Sequence, residues 1–425
     1  MVGLARSSAC DRVDPVGAGL VGAVSVGAVL ITFGLGCGSR TDLDVPPPPP
    51  CVPDTISAPA SCERVELGEP VLLSEERLGP GPGVYVLWLA AAPHDGGAAV
   101  RYDVLDDASF DARLLSVDMD GRARGDAISL ASVPAGFANT FAIPGLATGC
   151  GLAALSSLDR ITRDGERTDA VCRLSQIDAF GAAHSVDIDG SPHCWDLRDE
   201  DDGFSMLVGA REPGTILDAL SVARTDVEGN VRRTTAVDLR GTRAIGSMTR
   251  HRLAGGRDAF VVNTPPDAII ELVIVDPDAR ESGRVVLEGS RVDRSWSVSG
   301  PGGQHLAWRT EDGRMWVAPL DEAGAVGASV GLAVDSASVP PAWVGDRWLV
   351  AFADSDTQTG GVRLLDAAGV SQGELTTIAD FESGGIVTTE TGALLIVNEA
   401  RWRESTPPSL ASRVLVAYPI RCVAS

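Results

Sequence analysis

Five carboxylates crowd one short stretch after Cys194: Asp196, Asp199, Glu200, Asp201 and Asp202. A cluster of this kind can ligate calcium, or hold one carboxyl neutral for acid catalysis, and it can equally be a solvated loop. Calcium is therefore the one cofactor to be weighed, with these five as its candidate ligands. Two Asp-x-Asp-Gly segments, at Asp118–Gly121 and Asp187–Gly190, lack the further alternating carboxylates and closing Glu of a calcium loop. Asp and Gly there are explained by turn chemistry. Gly327-Ala-Ser329-Val-Gly331 matches the Gly-x-Ser-x-Gly pattern. A nucleophile elbow needs a strand before its serine and a helix after it, and this copy follows a hairpin turn instead. His94, His184, His251 and His305 are scattered, no His-Glu-x-x-His occurs, and His193-Cys194 is the single His/Cys neighbour pair. No catalytic residue is assigned on this basis.

The elements that would hold such groups are short strands. The chain has 425 residues, of which 44% are apolar, enough for one large domain with a sizeable core. Its formal charge of −23 repels nucleic acid and anionic headgroups, which excludes nucleic acid as a partner. All 35 basic residues are arginine, as expected of a GC-rich coding sequence.

From Val16 to Cys37 no residue is charged, and Arg6 and Arg12 precede the run. A basic start, an apolar core and small residues before a cut site describe a secretory signal over residues 1–37. A retained membrane helix is the alternative, although repeated glycines weaken it. Gly34-Leu35-Gly36-Cys37 resembles the lipobox of bacterial lipoproteins, with the Leu one place nearer the Cys than usual. The resemblance implies a lipid on Cys37 and, with Gly38 following it, an outer-membrane location. Residues 38–61 form a linker containing five consecutive prolines, Pro46–Pro50, a stiff extended spacer of roughly 3 Å per residue. The domain proper is expected over 62–425.

In that domain one unit recurs: an apolar strand, a connection, a second strand, a tight turn and a third strand. The first strand reads VYVLWLAAA from Val84, GLAALSS from Gly151, FSMLVGA from Phe204, AFVVNT from Ala259, HLAWRT from His305, WLVAFAD from Trp348 and ALLIVNE from Ala393. The second strand and its turn recur as RLLSVDMDG from Arg113, LSVARTDVEG from Leu220 and VRLLDAAG from Val362, and turn glycines Gly324 and Gly369 lie 45 residues apart. Several strands per unit at this period describe an all-β fold, a β-propeller. Seven copies predict seven blades, with six as the alternative. A blade alone cannot bury both faces, whereas blades packed around an axis bury them all.

The run from Arg294 to Gly324 resembles the Tol-type propeller repeat, without the proline of its first turn. The run from Pro340 to Gly369 and the Cys37-Gly-Ser-Arg-Thr-Asp-Leu start are similar to predicted myxobacterial surface lipoproteins. The resemblance implies a fold and a location but no activity.

Six cysteines follow the leader, as three disulfides in an exported domain would require. The seventh unit has its second strand, Arg413 to Ile420, but no turn after it. Its outer strand is expected from RVELGEPVLLS, Arg64 to Ser74, paired antiparallel. That pairing brings Cys62 to Cys422, with Cys51–Cys422 as the alternative bond. These features favour an exported, membrane-anchored, non-catalytic binding or scaffold protein for a protein or glycan ligand. One alternative is an exported propeller enzyme, a glycan lyase or hydrolase. The other is a Tol-like envelope accessory, for which residues 38–83 are too few to hold the extra α/β domain.

Overall fold

A computed structural model describes residues 58–423, apart from 75–84, 106–108, 135–136, 139–144, 150, 162–166, 179–180, 189–192, 211–218, 240–249, 265–268, 290, 333, 335–338, 355–358 and 404–408. The leader, Cys37, Cys51 and Cys150 lie outside the described residues.

Among the described residues the strands form seven blades of a β-propeller. Blade 3 shows the plan, four antiparallel strands in sequence order: His193–Glu200, Gly203–Ala210, Ala219–Asp226 and Val231–Ala236. Blades 4, 5 and 6 repeat it from Arg250–Arg252, Val292–Gly300 and Ala342–Val344, their innermost strands. Blade 1 runs from Tyr85–His94 to Ile128–Pro134, and in blade 2 two short strands, Phe137–Ala138 and Gly145–Ala147, share the inner position against Leu152–Ile161. The first strand of the sequence repeat is the second strand of blades 2 to 7. In blade 1 the copy at Val84 instead falls on the inner strand, and Gly97–Leu105 holds the equivalent place.

The core follows from this stacking. Seven apolar clusters each fill one interface between neighbouring blades, with Phe204 and Met206 between blades 2 and 3, Trp308 and Leu272 between blades 4 and 5, and Leu395 and Phe381 between blades 6 and 7. The cluster of Val100, Leu115, Leu394 and Leu415 joins blade 7 to blade 1 and closes the ring.

The turns after the third strands of blades 1 to 6 share one construction. In the turn of blade 6, Asp366 Oδ1 accepts the amides of Ala368 and Val370 at 2.9 Å, and the Gly369 amide donates to the Asp366 carbonyl. Asp118, Asp226, Asp276 and Asp321 do the same. The fourth residue needs positive φ, which glycine supplies at low cost in Gly121, Gly181, Gly229, Gly324 and Gly369. Ala279 holds that place in blade 4 at φ 60°.

Among the described residues blade 7 shows no such turn. Its outer position is filled by Arg64–Leu67 and Val71–Leu72, both antiparallel to the third strand Ser409–Val423. Val65 lies opposite Cys422, and Cys62 is bonded to Cys422 across the seam, Cα to Cα 4.9 Å. The Cys62 amide also donates to Asp346 of blade 6 at 3.1 Å. A second disulfide, Cys172–Cys194, joins the third strand of blade 2, Arg167–Ile177, to the inner strand of blade 3.

Candidate functional site

The inner strands of blades 3, 4 and 5 carry the densest group of buried polar side chains around the axis. Alternation along Arg250–Arg252 decides who meets whom, because successive side chains point to opposite faces. Arg250 and Arg252 reach back to blade 3, and His251 reaches forward to blade 5.

Arg250 is almost wholly buried. Its Nε lies 3.3 Å from Asp196 Oδ2, its Nη2 donates to Ser205 Oγ at 2.7 Å, and its Nη1 is 3.9 Å from Asp258 Oδ2. Asp196 also accepts from Arg198 at 3.1 Å. Arg252 pairs with Glu200, and Arg224 approaches the same carboxylate at 3.9 Å. Burial works to raise the Glu200 pKa, but the bonds from Arg252 and Ser205 outweigh it and hold the carboxyl below its ordinary range. Asp258 goes the other way. Its burial raises the pKa, and the charges of Arg250, Arg198 and Arg224 offset only part of that.

The five acidic candidates are thus parted. They do not share a loop: Asp196, Asp199 and Glu200 belong to the strand His193–Glu200, and Asp201 and Asp202 form the turn after it. Asp199 turns towards blade 2 and accepts the Thr148 amide at 3.2 Å, while Asp202 pairs with Arg232. Among the described residues no group of three or more His, Cys, Asp or Glu side chains is arranged to hold a metal ion. Asp118 caps its turn, and Asp187 pairs with Arg173 at 2.6 Å. Ser329 is half-buried just before the outer strand Val330–Leu332, so a strand and not a helix follows it.

His251 is fully buried, and its Nδ1 lies 2.7 Å from Ser297 Oγ on the inner strand of blade 5. Burial, then the nearby Arg198 charge, hold its pKa well below the usual 6.5, so the ring is neutral at pH 7. Gln304 Nε2 donates to the same Ser297 Oγ at 3.3 Å. Ser297, Ser299, Gly300, Gly303 and Gln304 line an open groove of about 510 Å³ at that end of the strand. At the strand's other end a cavity of about 360 Å³ is bounded by Asp293, Arg309, Glu382 and Arg413. Arg309 pairs there with Asp293, and Arg413 Nε lies 3.3 Å from Glu382 Oε2.

No protein-family model and no curated protein matches this chain. Solved structures do. The Dos1 propeller is 12% identical, with 82% of each chain covered and a TM-score of 0.44. Kluyveromyces lactis Hsv2 is 13% identical over 77% of this chain and 98% of its own, at a TM-score of 0.39. The β-propeller domain of the Trilobed protease from Pyrococcus furiosus is 10% identical over 77% of this chain and 97% of its own, at 0.41. These likenesses bear on neither ligand nor reaction.

Sequence reasoning missed Arg250, His251, Asp258, Ser297 and Gln304. A signal for them does exist. Arg250 stands 54 residues after Asp196, Arg252 stands 52 after Glu200, and Ser297 stands 46 after His251. Each separation is about one blade, and residues one blade apart on inner strands face each other.

Proposed function

We propose that this chain is an exported protein, tethered to a membrane through its N-terminal segment, whose propeller presents rigid loop faces to a protein or glycan partner. The observation that carries the export reading is the pair of disulfides, Cys62–Cys422 and Cys172–Cys194, because such bonds persist in oxidising compartments. The tether is inferred from the uncharged run ending at Cys37, the lipobox-like Gly34–Cys37 and the proline spacer, with a lipid on Cys37 facing the outer membrane. A net charge of −23 points the binding faces away from nucleic acid and anionic lipid.

A binding role fits the inner-strand chemistry better than glycan cleavage by carboxylates. Acid catalysis needs a reachable carboxyl that exchanges protons near neutrality. Asp196 and Glu200 are bonded to arginines, and Asp258, the one pushed upward, is nearly fully buried behind Arg250. Fixed ion pairs of this kind make the ring stiff, which favours a preorganised surface.

Metabolic labelling with a radioactive fatty acid tests the tether. Label is expected in the wild type and not in Cys37→Ser. Equal incorporation in both would remove the lipid from the account, and recovery of an unprocessed, reduced chain from the cytoplasm would remove export with it.

A further inference from the structure

The geometry points to Ser297 as a reactive serine that takes an acyl group from a small uncharged ester, with His251 as its base and Gln304 as donor to the developing oxyanion. This goes beyond the binding reading and does not rest on it. A serine hydroxyl is a weak nucleophile until a base within hydrogen-bond reach takes its proton, and His251 Nδ1 stands 2.7 Å from Ser297 Oγ. The two belong to different blades, so the contact is made by the closed ring and not by local sequence. Ser297 opens on the groove of about 510 Å³ while its base is sealed behind it. Gln304 Nε2 donates to Oγ at 3.3 Å, so its amide stands beside the reacting oxygen, and it would have to turn from Oγ to the carbonyl oxygen as that oxygen gains charge. The groove lining of hydroxyls, an amide and glycine backbone carries no charge, which suits an uncharged ester.

In the step itself, Ser297 Oγ bonds to the ester carbonyl carbon as its proton passes to His251 Nδ1. The carbon–oxygen bond to the leaving alcohol then breaks, and the alkoxide takes that proton from Nδ1, a step that requires Oγ, once acylated, to uncover Nδ1 to the groove. Acyl-Ser297 and a free alcohol result, and water hydrolyses the acyl-enzyme by the same relay. The tautomer that offers Nδ1 to the serine carries its hydrogen on Nε2, and Nε2 has no partner among the described residues. With Nε2 unpartnered among the described residues and Arg198 near the ring, the imidazolium is poorly supported. The acceleration therefore belongs at the low end for general-base catalysis, about 100-fold.

The test is labelling of the purified, oxidised protein with a fluorophosphonate, read by mass spectrometry, together with acylation by p-nitrophenyl acetate. An adduct is expected on the arginine-bounded peptide 295–309, at Ser297. It should be absent in Ser297→Ala and form about 100-fold more slowly in His251→Gln. Because the base stays neutral, the wild-type rate should be level from pH 6.5 to 8. A rate climbing tenfold per pH unit is that of an unassisted serine and would overturn the proposal. So would the absence of any adduct. The wild-type pH profile decides the matter even if His251→Gln does not fold.

Discussion

Removing the ring-closing bond is the perturbation whose size can be worked most directly. Cys62 and Cys422 are separated by 360 residues, so their bond closes nearly the whole domain into one covalent loop. In the chain-entropy model a loop of that length lowers the entropy of the unfolded chain enough to stabilise the fold by about 6 kcal/mol. Cys172–Cys194 spans 22 residues and is worth about 3 kcal/mol on the same scale. Without the long bond the seam is held by Arg64–Leu67, Val71–Leu72 and backbone bonds such as Gly68 N to Pro419 O at 2.7 Å. Urea titrations of Cys62→Ser/Cys422→Ser and of Cys172→Ser/Cys194→Ser measure the two losses. The first pair should lose roughly twice as much, which corresponds to about 7 °C in Tm for a domain of this size. Equal losses, or a larger loss from the short loop, would refute the loop-entropy reasoning and leave local packing as the source of stability.

Three other substitutions probe the interior. Ala279→Gly should stabilise the protein by about 0.5 kcal/mol in a denaturant titration, because φ 60° is strained for alanine and free for the glycine that five equivalent turns use. Arg250→Ala should cost about 3 kcal/mol or more by leaving Asp196 and Asp258 short of a buried partner, and adding Asp258→Asn should restore part of the loss. His251 titrates near pH 6.5 when unfolded but only well below that when folded. Between those values the unfolded state holds the extra proton, so stability falls as pH drops, by up to about 1.4 kcal/mol per pH unit. His251→Gln should be less pH-sensitive than wild type below pH 6.5, and identical slopes would contradict the burial of a neutral ring.

The repeat was legible because its turn chemistry is local. An Asp that accepts two amides and a residue at positive φ recur in blades 1 and 3 to 6, and Asp178 with Gly181 keeps the described part of the same turn in blade 2, whatever the strands around them carry. Blade 1 was misaligned for an equally physical reason. Its second strand, Gly97–Leu105, buries the ion pair of Arg101 and Asp103 at 2.7 Å, so a core strand reads as a half-solvated one, while the inner strand beside it reads as core. The seam was legible because an unpaired strand at one end and a blade without its turn at the other require each other. The inner-strand site was not. Among the described residues the inner strand of blade 4 is only Arg250–Arg252, too short a run to show a period, and apart from Asp258 the side chains bonded to it lie about one blade away. The acidic stretch reads as a cation site because, apart from Arg198, the arginines that pair with it, at 224, 232, 250 and 252, belong to other strands.

The covalently closed ring is tested most directly by non-reducing peptide mapping of the protein taken from its native cells. With no lysine in the chain, trypsin cuts only after arginine and releases Cys422 on the four-residue peptide 422–425, while Cys51 and Cys62 share 41–64. A further cut before Asp54 separates those two. The account predicts that 422–425 is recovered bonded to the fragment carrying Cys62, and that Cys172 and Cys194 are bonded to each other. Recovery of 422–425 as a free thiol, or bonded to the fragment carrying Cys51, would contradict it.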